Sequence, residues 1–172
     1  TADSAYVFVR SGTTWPQQAR LAASDGAAYD LFGGAVSVSG GTALIGAEQH
    51  YVGPEGSGSA YVFVRSGTTW SQQAQLVATD DLNWLFGRAV AVSGDAALIG
   101  APFTSGGGAA YAFSRSGSRW TQQRKLVPAG TEHRPARVAQ VVVDENQRAV
   151  RPPDDLPDDL ARLSREGFED LF

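Results

Sequence analysis

Apolar and polar side chains alternate in short runs through the first 127 residues, and the runs have strand length. Ala35 to Ser39 alternates small apolar side chains with serine, Gly40-Gly41 permits a two-residue turn at positive φ, and Ala43 to Ile45 returns. This pattern predicts a tight hairpin. A polar loop over residues 48–59 leads to Ala60–Arg65, where Tyr61 and Phe63 point to one side and Val62 and Val64 to the other. Apolar residues on both faces predict a strand buried on both sides, as between stacked sheets. Ser66 to Thr69 then turns the chain, and Trp70–Val77 reads as a fourth strand, with Gln72, Gln73 and Gln75 along a partly wet edge. One period is thus a four-stranded antiparallel meander.

The pattern returns. LFGGAVSVSGGTALIGAE at 31–48 comes back as LFGRAVAVSGDAALIGAP at 85–102, a step of 54 residues from Phe32 to Phe86. AYVFVRSGTTW at 5–15 recurs at 60–70 and, as AYAFSRSGSRW, at 110–120. Self-similarity at a period near fifty residues means an array of supersecondary units. Sheets buried on both faces and repeated in tandem describe β-propeller blades. The first strand of each blade lies nearest the axis, where space is short, which accounts for Ala35, Ser37, Ala89 and Ala91. A β-sandwich is the rival, but sandwich strands do not repeat in sequence. The expected class is all-β, with a half blade at 1–23, a full blade at 24–78 and another at 79–127, about two and a half blades in an incomplete ring. Closure takes at least about four.

Phe32-Gly33 and Phe86-Gly87 before the first strands, with Gly46-Ala47-Glu48 and Gly100-Ala101-Pro102 after the second, resemble the FG-GAP repeat. This is the blade motif of integrin α-subunit propellers and of many bacterial surface and secreted proteins, and the text around Tyr61 is most similar to the bacterial members. The resemblance covers residues 1–127 and implies an extracellular or cell-surface recognition or adhesion scaffold without enzymatic activity. Glu48 departs from the motif's proline, which leaves the shape of its loop open. Integrin-like blades often carry a DxDxDG calcium loop between their first two strands, where alternate acidic oxygens converge on the cation. Here those turns are Gly40-Gly41 and Gly94-Asp95, too short and too poor in oxygen ligands, so no cofactor is expected. Asp25 and Asp30, or Asp80 and Asp81, in the blade-to-blade loops are the weaker alternative for calcium.

Strand polarity sorts the loops. The turns at one end are nearly identical between copies, whereas the opposite end carries Tyr29, His50, Tyr51, Trp84 and Phe103. Variable aromatic loops on a rigid scaffold are where recognition usually lives, and these five are the candidate contacts for a protein or glycan ligand. The bland reading makes them ordinary solvated loops, with Tyr29 and Trp84 packed between blades. Arg10, Arg65 and Arg115 each precede a turn leading to Trp15, Trp70 and Trp120, so each guanidinium is expected to stack on its indole.

Composition removes several classes. A net charge of −4, with basic residues scattered singly, argues against nucleic acid. No apolar run reaches the roughly 18 residues of a membrane helix, so no membrane insertion is expected. With no cysteine there is neither a disulfide nor a thiolate site. His50 and His133 sit in no GxSxG or HExxH context, and Gly53 to Gly58 lacks the lysine of a phosphate loop. The chain starts inside a repeat without methionine, which suggests a piece of a longer protein.

Beyond Pro128 the repeat text stops and the composition turns acidic and proline-rich. Residues 128–172 read as a capping hairpin (Val138–Val143 with Arg148–Arg151) and a short helix from Asp158, or as a disordered tail. Two rival functions stand beside recognition: self-association through open blade edges that completes a ring, and a propeller module appended to a hydrolase.

Overall fold

The computed structural model describes residues 3–53, 57–79, 83–104 and 107–127; the expected tail hairpin and helix lie outside them. Among the described residues the chain is strand, turn and loop throughout. β1 (Ala5–Phe8) pairs with β2 (Gln17–Leu21) in a two-stranded sheet. The next unit is a four-stranded meander in the order β3 (Phe32–Ser39), β4 (Thr42–Tyr51), β5 (Ser57–Ser66), β6 (Thr69–Leu76). A short β7 (Asn83–Trp84) precedes the last sheet, built from β8 (Ala89–Ser93), β9 (Ala96–Ala101), β11 (Ala109–Ser116) and β12 (Arg119–Leu126); β10 (Phe103–Thr104) pairs with β7. All pairings are antiparallel. The architecture is that of partial propeller blades.

The turns repeat as the sequence does. Gly40, Gly67, Gly94 and Gly117 hold φ of 55°, 62°, 53° and 63°, values that an L side chain rarely adopts. Strand limits differ from expectation mainly at β4, which runs on to Tyr51 instead of ending near Ile45. Its extension is held by Gln49 N donating to Asp30 O (3.1 Å) and by the pairing of Tyr51 with Ser57.

Two apolar layers bind the three units. In the first, Tyr61, Phe63, Ile45 and Phe32 meet Leu21 and the half-buried Val7 and Ala19. In the second, Tyr111, Phe113, Ile99 and Phe86 meet Leu44, Val62 and Leu76. Each motif phenylalanine fits between the tyrosine and phenylalanine of its own third strand. Phe32 lies 5.6 Å from Tyr61 and 6.1 Å from Phe63, and Phe86 lies 5.5 Å from Tyr111 and 6.2 Å from Phe113. Such tilted and edge-on pairs add about 0.5–1.5 kcal/mol each beyond burial. The expectation of a third strand buried on both sides holds for Tyr61, Val62 and Phe63.

At the outer edge a bulge joins one blade to the next. Register slips between Val7 and Phe8, Val62 and Phe63, and Ala112 and Phe113, leaving Gln18, Gln73 and Gln123 as the extra residues on the partner strands. A bulge re-aims a side chain. Here the re-aimed amides face forward: Trp70 Nε1 donates to Gln18 Oε1 and Trp120 Nε1 to Gln73 Oε1, both at 3.0 Å. Gln72 Oε1 accepts from Ser24 N (2.9 Å), and Gln122 Oε1 from Thr79 N (3.2 Å), in the same relation. Of the three glutamines that read as a wet edge, Gln73 is therefore a blade-to-blade connector and Gln72 ties its sheet to the connection from the preceding unit, whereas Gln75 donates to Ser59 Oγ and the Tyr61 hydroxyl of its own sheet. The guanidinium stacking is seen at Arg115, which lies 5.3 Å over Trp120; Arg10 and Arg65 instead donate from Nε to Gly12 O and Gly67 O of their own turns.

Candidate functional site

The connection between β2 and β3, the end of β4, and the β7–β10 pair all lie at the end of the sheets opposite the four glycine turns. At this end the two full blades differ. Leu31 and Leu85, which open the repeated motif, share positive φ (57° and 62°), so this bend belongs to the repeat. Tyr29 adds a second, at φ 74°, in the connection of one blade. Left-handed backbone at a bulky residue is disfavoured by roughly 1–3 kcal/mol and persists only where its surroundings fix it.

Asp30 does the fixing. Its Oδ2 accepts from Ala27 N (2.7 Å) and lies 2.8 Å from His50 Nδ1, while its carbonyl holds Gln49 N. His50 is buried on β4, its Nε2 lies 3.5 Å from Asp25 Oδ2, and its ring meets Tyr61 edge-on at 5.8 Å. The Tyr61 hydroxyl donates to Asp25 Oδ1 (3.0 Å) and accepts from Gln75 Nε2 (3.2 Å). Burial first, and then the Asp25 carboxylate that its hydroxyl contacts, push the Tyr61 phenol well above its ordinary pKa. The connection is thus laced through one imidazole to β4 and through one phenol to β5. Tyr29 stands outward on this support, 84% exposed.

The structure separates the five candidate contacts. Tyr29, Tyr51 and Phe103 are exposed, whereas His50 lies beneath the face with both ring nitrogens engaged. Trp84 pairs through its backbone with Phe103, and its side chain lies outside the described residues. Tyr29 is not packed between blades. Of the alternative cation ligands, Asp80 and Asp81 lie outside the described residues, and Asp25 and Asp30 sit on opposite nitrogens of one imidazole. That places their oxygens on two sides of one ring and not around one point in space. Among the described residues no group of three or more histidine, cysteine, aspartate or glutamate side chains is arranged to hold a metal.

Sequence reading missed one pair altogether. Glu48, the departure from the motif's proline, is buried, and its Oε1 takes a charged hydrogen bond from Arg88 Nη1 of the next blade. Arg88 is itself a departure, standing where the first copy has Gly34. Two irregularities 40 positions apart answer each other, and either alone reads as drift. Arg115 is a further clamp, donating to Asp95 Oδ1 (2.7 Å) across its own blade and to Thr42 Oγ1 (3.1 Å) in the blade before.

Compared with known families, the chain matches the model for the FG-GAP repeat twice, over residues 15–63 and 70–113, together more than half of its length. A search of curated proteins gave no match.

Proposed function

Since the chain belongs to the FG-GAP repeat family, a generally non-enzymatic group whose blades build propeller-like modules often found outside the cell, we propose that it is a recognition module for a protein or glycan ligand. The ligand meets the loop face that bears Tyr29, Tyr51 and Phe103. The observation that carries this reading is Tyr29, an almost fully exposed aromatic held in disfavoured backbone geometry by a buried hydrogen-bonded network. A solvated loop gains nothing from such rigidity. A binding surface does, because an aromatic ordered before contact loses little entropy on association. Among the described residues no helix is long and apolar enough to cross a membrane. The family's usual setting supports placement of the module at the cell surface or outside the cell.

Labelled protein applied to a glycan array and to an array of extracellular proteins tests the reading. The wild type is expected to give discrete positive spots that Tyr29→Ala/Tyr51→Ala removes and that Thr68→Ala, at the opposite end, retains. Absence of specific spots for the wild type, or spots indifferent to the double substitution, would overturn it.

A further inference from the structure

Three titratable side chains of one blade have no counterpart in the next. The step of 54 residues carries Asp25, Asp30 and His50 to Thr79, Trp84 and Thr104, so the repeat itself does not call for them. They meet around one ring. Asp25 and Asp30 belong to the connection between β2 and β3, and His50 belongs to β4. Asp30 Oδ2 lies 2.8 Å from Nδ1 of the buried imidazole, and Asp25 Oδ2 lies 3.5 Å from its Nε2. Both carboxylates are anchored a second time: Asp30 Oδ2 accepts from Ala27 N, and Asp25 Oδ1 accepts from the Tyr61 hydroxyl.

A neutral imidazole has one N–H and one lone pair. Whichever nitrogen holds the proton, the other then turns its lone pair toward a carboxylate oxygen. Only the imidazolium donates to both sides. The other charged and titratable neighbours leave this count unchanged: the Tyr61 phenol meets the ring edge-on from β5 with its hydroxyl committed to Asp25, and Glu48, two residues earlier on β4, is held by Arg88 of the next blade. The charges also sit on different elements. If the connection lifts, a protonated His50 stays on β4 without its two counter-charges, which is unfavourable for a buried cation and not for a neutral ring. Protonation therefore favours the docked connection, and docking is what holds Tyr29 in its left-handed conformation. We propose that the Tyr29 face is a proton-controlled recognition surface, in which protonation of His50 locks the connection before contact and loss of that proton releases it. The inference rests on the recognition reading of this face and adds its regulation: a ligand is held more tightly toward about pH 5.5 than toward about pH 8, the range over which imidazoles ordinarily change charge.

Amide hydrogen exchange of the unliganded 172-residue chain, followed by NMR, tests this. The Ala27 and Gln49 amides, which donate to Asp30, report docking; the Arg65 amide, bonded to Gly41 O (2.8 Å) at the opposite end, reports the blade itself. With each rate divided by its intrinsic rate at that pH, protection of Ala27 and Gln49 is expected to rise about tenfold from about pH 8 to about pH 5.5, the effect of one hydrogen bond to a charged group, while that of Arg65 stays level. His50→Gln, whose side chain cannot change charge, is expected to abolish the rise. Asp25→Asn, at a partly exposed position, is expected to reduce it, because its amide can donate to an uncharged ring nitrogen. Protection of Ala27 and Gln49 that stays flat in the wild type, that rises only in step with Arg65, or that rises as steeply in Asp25→Asn overturns the proposal, even where His50→Gln fails to fold. No ligand takes part, so this outcome is separable from that of the arrays.

Discussion

Replacing Gly46 with alanine asks whether the blades are held at a distance set by their backbones or by their side chains. Gly46 lies in β4, paired with Ala35 on one side and Ala60 on the other, and it faces the next blade. A Cβ built there would stand 1.9 Å from Gly87 O, whereas contacts under 3.0 Å essentially never occur. Both partners are main chain, and Gly87 N is itself bonded to Gly100 O (3.1 Å), so neither can turn aside as a flexible side chain would. Relief requires the two sheets to separate by more than an ångström, which loosens the layer holding Phe86, Tyr111, Leu44 and Val62. Overpacking of a tight core is destabilising by about 1–3 kcal/mol, and with no soft partner the upper end applies, about 3 kcal/mol. In a domain of this size that lowers Tm by roughly 6–12 °C. Urea unfolding followed by tryptophan fluorescence gives the comparison, with Gly41→Ala as control. At Gly41 a Cβ meets nothing closer than 3.7 Å, and the change is expected to stay within about 0.5 kcal/mol. Equal midpoints for Gly46→Ala and Gly41→Ala would refute the argument from backbone contact.

Two further outcomes follow from the polar contacts. Arg88→Gly, which restores the residue found at position 34, leaves the buried Glu48 carboxylate unpaired and is expected to destabilise by about 1–2 kcal/mol, moderated by the exposure of Arg88; adding Glu48→Gln is expected to recover part of that loss, and strict additivity in urea unfolding would deny the coupling. For Tyr61 the folded pKa is raised, so the folded state retains its proton where the unfolded chain releases one. The associated stability is complete below the unfolded value of about 10 and is lost as pH climbs above it. Above pH ~10 the wild type is therefore expected to lose stability faster than Tyr61→Phe, and parallel pH profiles would count against the assigned contacts.

The repeat made the fold legible because each strand and turn is stated more than once. Tyr61 and Phe63 against Val62 and Val64 announced a doubly covered strand, and the glycine turns fixed the hairpins. The recognition end was legible only in outline. Nothing local in the sequence tells His50 from an exposed loop histidine, because its burial depends on β4 continuing past Ile45 and on Asp30 arriving from 20 residues earlier. In the next blade Trp84 and Thr104 occupy the positions of Asp30 and His50, so the repeat offers no second reading of that pair. The glutamines misled for a related reason: alternation assigns Gln73 to a face, but the bulge at Phe63 moves it off the pleat and toward the neighbouring indole.

That bulge has a bearing on how such chains change length. The complete period carries an indole, Trp70, that reaches back to Gln18 and an amide, Gln73, that reaches forward to Trp120, so one donor and one acceptor for such joints travel in the same stretch of coding sequence. Unequal exchange that inserts or deletes one whole period creates a junction whose donor and acceptor already match. A molecule connected in this way can grow or shrink by a unit at a time without any compensating substitution at the seam.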